Sequence, residues 1–356
     1  MFQIQAHESS ESAIKRIGLA LIDENVQMLT APGEEMGTAV HAARKNFKRL
    51  RALLRLVRDE VGEESFQREN VCFRDAARRL AVLRDSAVII ETLDSVCALH
   101  AADLPEGAFA GIRAALVDWQ QAVSRRFLQD ADTLREVTAV LQQARPRFAA
   151  LPIQQDGFAA FADGLRRVYK QGHRNMTAAY AAKRPELFHE WRKQVKYLWH
   201  HVELLSLLWP LPMAEMAREL HELSDYLGMA HDLVVLRHML TTPGSAYAAE
   251  ADLPRLLPLL AERQTALEMA AYPLGQRLYA ERPSAFVQRL SVYWHTWQES
   301  GFNGLPPQPP RLLNTQEAAA RLGISLVALR RRIARGEVTA VKISGVWAIP
   351  QDTLPS

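Results

Sequence analysis

The sequence is poor in cysteine and has no long hydrophobic run. Cys72 and Cys97 are its only cysteines, and their spacing fits no short metal or redox motif, so we expect buried thiols in a reducing compartment. The most apolar stretch, residues 202–214, contains Glu203 and two prolines and is too short to cross a membrane. The first residues lack a basic segment followed by an apolar run. No signal peptide is therefore predicted, and we expect a cytoplasmic location.

Net charge is also small. The 43 Lys and Arg residues nearly balance the 40 Asp and Glu residues, for a formal net charge of +3, so net charge alone predicts no polyanionic partner. The distribution along the chain differs from this average. The stretch "VHAARKNFKRLRALLRLVRDEVG", residues 40–62, places seven Lys or Arg between Arg44 and Arg58, with no acid before Asp59. Such a concentration of positive charge on one predicted helix requires a physical explanation.

Residues 10–300 have helical periodicity, with breaks at Pro- and Gly-containing segments such as "QQARPR", residues 142–147. An internal repeat organises them. Six apolar residues from Val40 to Val57 alternate three and four apart, and adding 148 to each number gives six further apolar residues, from Phe188 to Leu205. Residues 80–93 resemble residues 227–240 in the same way. We predict an all-α domain, residues 1–300, of two pseudo-symmetric helical bundles at about 10–150 and 151–300.

The basic residues form stripes of their own beside the apolar ones. The first stripe, at spacings of three and four, consists of His41, Arg44, Lys48, Arg51 and Arg55. The corresponding stripe in the second half consists of His189, Arg192, Lys193 and Lys196. Each stripe lies about 100° around its helix from the apolar stripe. It therefore flanks the predicted core at the place where a groove between helices would form.

Further basic residues lie on other predicted helices. Arg167, Lys170 and Arg174 share a face of "FADGLRRVYKQGHRNMTAAY", and Arg74 and Arg78 lie on "FRDAARRLAVLRD". Because like charges repel, several cationic stripes together predict a bound polyanion, with Arg as a bidentate donor and Lys as a point charge. The alternative is that these side chains lie along the edge of the core and pair with acids.

Five motifs in order resemble the CHAD family, the conserved-histidine α-helical domain: "VHAARKNFKRLRALLRL", "RRLAVLRDSAVI", "RVYKQGHRNM", "FHEWRKQVKYLWHHVELL" and "LSDYLGMAHDLVVLRHML". The resemblance covers most of residues 10–300. It implies a two-bundle helical fold with a basic central channel that binds inorganic polyphosphate. With Arg167 added from the third basic set, the candidate phosphate contacts are His41, Arg44, Lys45, Lys48, Arg51, Arg55, Arg78, Arg167, Lys170, Arg174, His189, Arg192, Lys193 and Lys196. The sequence departs from the family pattern at Asn46 and Phe47, and at His231, which puts a titratable group where a cation is usual.

Signals for catalysis are weak. Some relatives carry a triphosphate-tunnel domain of strands with alternating Glu and Lys, and no such pattern occurs here. The phosphate-cradling motif G-x-x-x-x-G-K-S/T is absent from the sequence, and acids that would hold Mg²⁺ are not clustered. The histidines lack the spacing of a zinc site. We expect a non-enzymatic binding protein without metal or cofactor. The alternatives are a polyphosphate- or nucleotide-processing phosphohydrolase and a general nucleic-acid-binding protein.

The last residues differ in character. Residues 301–311 are rich in Pro and Gly, which predicts a semi-rigid linker. Beyond it, Asn314 or Thr315 can cap a helix that ends at Gly323, and Ser325 can cap a second helix that ends at Gly336. Two short β-rich segments then flank Gly345. This order predicts a small winged helix–turn–helix domain over residues 312–356.

The tail segments "TQEAAARLGIS", "ALRRRIARGEVTAVKI" and "WAIP" resemble the excisionase-like, MerR-type helix–turn–helix family. The resemblance implies binding of double-stranded DNA. For the whole chain, with its polyphosphate-binding and DNA-binding expectations, we predict a cytoplasmic location in association with polyphosphate granules or the nucleoid. Its candidate DNA contacts are Ser325, Arg330, Arg331, Arg335 and Lys342. Relatives usually carry Arg on both sides of the central Trp, whereas Val346 and Ala348 flank Trp347 here. The alternative is a structural or protein-docking module. The sequence gives no oligomeric state.

Overall fold

The protein divides into two compact units, Met1–Gly301 and Phe302–Ser356. The computed structural model describes the first unit at residues 2–30, 36–243, 247 and 250–299, with backbone alone at 82–84, 128–129 and 131. In the second unit it describes residues 312–313, 315–322, 324, 328–329, 332–333, 338, 340–343 and 346–350. The predicted linker at residues 301–311 lies outside the described residues.

All regular secondary structure in the described part of the first unit is helical. Its helices are α1 (Ser10–Thr30), α2 (Met36–Leu56), α3 (Arg58–Val61), α4 (Glu63–Arg79), α5 (Ala81–Leu99), α6 (Ala110–Gln129), α7 (Ala131–Ala149), α8 (Ala159–Ala182), α9 (Pro185–Leu204), α10 (Pro210–Thr241), α11 (Leu253–Leu278) and α12 (Pro283–Glu299). A short 3-10 helix, Ser206–Leu208, joins α9 to α10. The predicted all-α class is confirmed. Of the helices in the described ranges, none has the length and apolar character of a membrane span.

The helices of the second half follow those of the first in the same order. Helices α1 and α8 begin at residues 10 and 159, and α2 and α9 at residues 36 and 185, so the offset is 149 in both cases. Helix α1 packs against α2 and α7, just as α8 packs against α9 and α12. The single long helix α10 packs against α9, as α4 and α5 pack against α2 in the first half. The two corresponding helices α2 and α9 also pack against each other.

The hydrophobic cores do not divide at residue 150. One buried cluster draws on α1, α2, α3, α4, α7, α8, α9 and α12 and on parts of α6, α10 and α11, and a second draws on α5 and on other parts of α6, α10 and α11. Each cluster thus combines helices from both halves of the sequence. The amphipathic faces of one half are buried against faces of the other, which favours a single interlocked unit.

One predicted break is wrong. Helix α7 continues through Pro146 and ends at Ala149, although "QQARPR" suggested an interruption. Proline removes one backbone donor and crowds the preceding turn. At this position only the last turn follows, and the amide of Ala150 still donates to the carbonyl of Pro146 at 3.1 Å. The cost is therefore small enough for the helix to continue.

The second unit contains α13 (Thr315–Arg321) and three strands, β1 (Leu312–Leu313), β2 (Val341–Ile343) and β3 (Val346–Pro350). The strand order is β1-β3-β2, with antiparallel pairing that places Lys342 opposite Trp347. Residues 328–329 and 332–333 are helical. Among the residues of this unit that the structure describes, Ala318, Ala319, Leu329, Val338 and Ile349 form a buried apolar cluster. Strand β1 has no counterpart in the sequence prediction.

Candidate functional site

Helix α2 carries the first basic stripe. Ala43, Phe47 and Leu50 are completely buried because they belong to the apolar stripe of an amphipathic helix. Arg44 and Lys48 each follow a buried position by one residue, so their side chains leave the helix about 100° away from the core. Arg44 is half-buried and Lys48 is exposed. The stripe therefore lies at the edge of the core, as its phase predicted.

Helix α9 repeats this arrangement. Trp191, Val195 and Leu198 are buried, and Arg192 and Lys196 follow the first two by one residue. Both basic side chains are half-buried. Because α2 packs against α9, the two edges that carry these cations belong to neighbouring helices.

The two stripes meet. Burial lowers the pKa of Lys48 to about 8, with further lowering by the charges of Arg44 and Arg192. Burial likewise lowers the pKa of Lys196 to about 6, with further lowering by Arg192 and Lys48. Ammonium and guanidinium groups influence one another in this way only at short range. Basic residues 148 positions apart in the sequence thus surround one site.

Two histidines complete this site. The rings of His189 on α9 and His231 on α10 lie 4.4 Å apart between centroids, tilted by 40°. Burial lowers the pKa of His189, and it lowers that of His231 to about 4, with contributions from neighbouring cations, including Arg192 and Lys196, in both cases. We use the name basic cluster for the six residues Arg44, Lys48, His189, Arg192, Lys196 and His231.

Three aspartates face the basic cluster. Asp85 on α5 accepts hydrogen bonds from both terminal nitrogens of Arg44 at 3.0 Å. Asp225 and Asp232 on α10 raise the pKa of Lys196, opposing the larger effect of burial. Among the described residues, no carboxylate lies within ion-pair distance of Lys48 or Lys196. The carboxylates therefore offset the positive charge of the cluster without neutralising it at the two amines.

Arg192 occupies the centre of the cluster. Its Nε atom is buried and has no hydrogen-bond partner among the described residues. A Cβ on Gly228 of α10 would lie 3.4 Å from one of its terminal nitrogens, so glycine makes room for the guanidinium. Burial also lowers the pKa of Arg192. A buried donor without a partner is costly, and such a group suits a site that receives an external acceptor.

Protein atoms partly desolvate the amines of the basic cluster even where a side chain reaches solvent. Lys48 is exposed to solvent, yet surrounding protein atoms remove enough water to lower its pKa. An amine that is accessible and also desolvated must have protein on several sides. An anion that reaches these amines meets partly desolvated cations, with which charge-assisted hydrogen bonds are strong.

The C-terminal end of the first stripe has internal partners. Arg51 and Arg55 donate to the side-chain oxygen of Asn70 at 3.1 and 2.8 Å. The guanidinium of Arg55 also lies 4.1 Å from the ring centroid of Tyr197 on α9. Burial lowers the pKa of Arg55 to about 10. These contacts hold both guanidiniums along the α2–α9 boundary that contains the cluster.

The other candidates from the two stripes lie at the surface. His41 and Lys45 are exposed, and Lys45 lowers the pKa of Glu203. Lys193 is paired with Glu190 at 2.6 Å. The structure thus brings Arg44, Lys48, Arg192, Lys196 and His189 together, whereas His41, Lys45 and Lys193 lie further towards the surface.

The remaining candidates lie on other helices. Arg78 is exposed near Asp75, with 3.6 Å between nitrogen and oxygen. Arg167 donates to the carboxylate of Asp59 on α3. Lys170 and Arg174 are exposed on α8, and in the described part of the chain no contact joins them to the basic cluster.

The adjacent histidines His200 and His201 have partners within the protein. His200 donates from Nδ1 to Glu203 at 2.9 Å, and His201 donates from Nε2 to the carbonyl of Ala52 at 2.8 Å. Nowhere in the described residues do three His, Cys, Asp or Glu side chains converge in a way that could hold a metal ion.

Four residues of the site were not among the candidates predicted from the sequence: Asp225, Gly228, His231 and Asp232. All four lie on α10, whose packing against α9 brings them to the cluster. The repeat held a partial signal, since Asp85 and Asp232 occupy matching positions in residues 80–93 and 227–240. The candidate DNA contacts Ser325, Arg330, Arg331 and Arg335 lie outside the described residues, as does the side chain of Lys342.

Comparison with known proteins agrees with the helical architecture. The family model of the CHAD domain matches residues 20–241 of this chain. The solved structure of PptA from Streptomyces chartreusis superimposes with a TM-score of 0.52 at 17% sequence identity, over 77% of this chain and 100% of that chain. A comparison with curated proteins gives no significant match. The structural match establishes the fold.

Proposed function

The chain belongs to the CHAD family, and we propose that it binds inorganic polyphosphate through the basic cluster without turning it over. One observation carries the proposal: Lys48 and Lys196, from the two halves of the repeat, converge on Arg192. Nothing within the described residues pairs with either amine at ion-pair distance. A site that holds several partly desolvated cations close together favours a ligand with many negative charges.

Polyphosphate suits the spacing of these basic residues. Its anionic groups repeat along a flexible chain, and successive basic residues on α2 are about 5 Å apart. We propose that the ligand occupies a channel along the α2–α9 boundary, between the cluster and Arg51 and Arg55. The other candidate contacts, among them His41, Lys45, Arg78, Arg167, Lys170, Arg174 and Lys193, belong to the proposal as outer positions.

Binding of long-chain polyphosphate to the full chain tests this function. Titration followed by calorimetry at two salt concentrations should show tight binding that weakens as salt increases, because exposed parts of a charged interface are screened. Orthophosphate at the same total phosphate concentration should bind far more weakly, since it cannot span several cations. Absence of polyphosphate binding at low salt would refute the proposal.

Two other function classes are distinguished by simple assays. A phosphohydrolase would release orthophosphate from polyphosphate or a nucleotide in the presence of Mg²⁺ or Mn²⁺, and we expect no release above the blank. A nucleic-acid-binding protein would lose polyphosphate to a competing single strand. We expect polyphosphate to prevail, because few aromatic side chains, which serve single strands as stacking platforms, accompany the basic stripes.

We also propose that the second unit binds double-stranded DNA. The order of α13, the helical residues 328–329 and 332–333, and the antiparallel strands β2 and β3 supports a winged helix–turn–helix, which places its second helix in the major groove. The arginines of "ALRRRIARG" would supply phosphate and base contacts. Electrophoretic mobility shifts with random duplex DNA test this proposal, and Arg330→Ala with Arg331→Ala should abolish them.

The two activities of one chain suggest that polyphosphate regulates DNA binding. Fluorescence anisotropy of labelled duplex DNA, measured with and without polyphosphate, tests this coupling. A shift of the DNA dissociation constant supports it. Since free polyphosphate can also compete at the tail, the charge-reversal variant Lys48→Glu/Lys196→Glu serves as the control, and an equal shift in that variant would refute coupling through the helical unit.

A further inference from the structure

Lys196 has an unusual set of neighbours for a lysine at a proposed anion site. The charged and titratable groups that face it come from two other positions on α9, one on α2 and three on α10. They are Arg192, His189, Lys48, Asp225, Asp232 and His231. Arg192 and Lys196 lie four residues apart on α9, which makes their side chains neighbours on one helix face. Helix α9 packs against both α2 and α10, which carry the other groups. His200, also on α9, is close enough to be influenced by its charge. Cations and partly offset carboxylates therefore surround an amine that has no ion-pair partner among the described residues.

The arrangement disfavours simultaneous protonation. Arg192 stays charged at any ordinary pH, so its neighbours Lys48 and Lys196 each gain a proton only against its repulsion and against their own burial. The paired imidazoles of His189 and His231, 4.4 Å apart, meet the same obstacle. Without a ligand, the cluster holds fewer protons than its composition allows.

We propose that the basic cluster takes up protons when it binds a polyanion, so that affinity for polyphosphate increases as pH falls. This inference rests on the proposed function and adds regulation of the same site. The phosphate oxygens supply the negative charge that the three aspartates supply only in part. They thereby restore the conditions under which Lys196 carries its proton.

The sign of the effect follows from linkage. Without ligand, Lys196 has a pKa of about 6, against 10.5 for an ordinary lysine. An adjacent anion raises the pKa toward the ordinary value. Between these two limits the complex binds a proton that the free protein lacks, so affinity rises by up to about tenfold for each unit that pH falls. Lys48, with a pKa of about 8, adds to the uptake only at higher pH.

Calorimetry measures this uptake directly. Long-chain polyphosphate is titrated into the full chain at pH 7.5 in several buffers with different ionisation enthalpies. The slope of observed enthalpy against ionisation enthalpy gives the number of protons taken up, and we expect about one. Long chains are used because their internal phosphates do not titrate near neutral pH. Binding with no proton uptake would overturn the inference and leave the proposed function standing, whereas absence of binding would refute the proposed function itself.

Two variants assign the proton to Lys196. Lys196→Arg keeps its charge at every pH. This variant should therefore bind polyphosphate without the uptake of about one proton that the wild type shows. Lys196→Gln cannot carry the charge, so the advantage of the wild type over it should shrink by up to about tenfold per unit as pH rises from 7 to 9. If arginine does not fit the site, the comparison of wild type with Lys196→Gln still tests the inference. A pH-independent ratio between wild type and Lys196→Gln would contradict the inference.

Discussion

Lys48 on α2 and Lys196 on α9 occupy the same position of a repeat of 148 residues, and the charge of the first lowers the pKa of the second. The relationship shows that the corresponding helices face each other along their basic edges. It also explains why the site has no single-motif signature, because each half of the chain supplies only part of the charge.

Asp85 is predicted to weaken polyphosphate binding. Its carboxylate holds Arg44 at 3.0 Å and is largely exposed, with 62% of its side chain accessible. Asp85→Asn removes a negative charge beside the cluster, so we expect affinity to increase roughly fivefold, on the order of 1 kcal/mol for an exposed pair. Asp94→Asn is the matched control, since Asp94 on the same helix is paired with Arg113 instead. An equal increase in both variants would show that only net charge matters.

Stability is predicted to fall in acid because of His201. This imidazole is buried and donates to Ala52, and burial lowers its pKa from 6.5 to about 4. Below pH 6.5 the unfolded chain binds a proton that the folded chain does not, so the free energy of unfolding falls by up to about 1.4 kcal/mol per pH unit down to pH 4. Denaturant unfolding at several pH values measures the slope. His201→Gln should flatten it by this amount and the exposed control His238→Gln should not, and an unchanged slope in His201→Gln would contradict the assignment.

Gly164 is predicted to be essential for the packing of α8 on α2. A Cβ at this position would lie 1.9 Å from the carbonyl oxygen of Leu56, and backbone cannot yield as a side chain can. Gly164→Ala should destabilise the protein by about 3 kcal/mol or prevent folding. Gly37→Ala is the control, because nothing lies within 4 Å of its Cβ position and alanine favours the helix. Thermal unfolding of the two variants tests this prediction. Similar melting temperatures in both would refute the close approach of α8 to α2 at Gly164.

The ion pair between Glu69 and Arg147 is predicted to hold α4 against α7. The carboxylate of Glu69 is completely buried and accepts from Arg147 at 2.8 and 3.1 Å, with Arg68 as a second donor. Arg147→Met leaves a buried charge with one partner, so we expect a loss of about 3 kcal/mol. Adding Glu69→Gln to this variant should restore part of the lost free energy of unfolding. A double-mutant cycle by denaturant unfolding tests this, and purely additive effects would contradict the pairing.

Local patterns in the sequence predicted the two faces of each central helix. The apolar positions Ala43 and Phe47 are buried as expected, and Arg44 and Lys48 follow at the edge of the core. Periodicity of this kind depends only on the geometry of one helix. The repeat then placed the equivalent residues on α9 without any knowledge of the tertiary structure.

Partners across helices could not be predicted in the same way. Asn70 accepts from Arg51 and Arg55, and Asp59 accepts from Arg167. These contacts depend on which helices become neighbours and at what rotation, and spacing along one helix does not encode that. The mixing of both halves in each hydrophobic core has the same origin, since a repeat shows that two segments are alike but not which face each will cover.

The most direct test is whether polyphosphate binding depends on the two converging lysines or only on the total charge. Long-chain polyphosphate is titrated into the full chain, into Lys48→Glu/Lys196→Glu and into Arg125→Glu/Arg135→Glu, whose arginines are exposed on α6 and α7. Both variants lower the net charge by the same amount, and thermal unfolding verifies that each is folded. A site built on the basic cluster predicts at least about a hundredfold loss of affinity in the first variant, from two charge-assisted hydrogen bonds, and little change in the second. Equal weakening in both variants would contradict it.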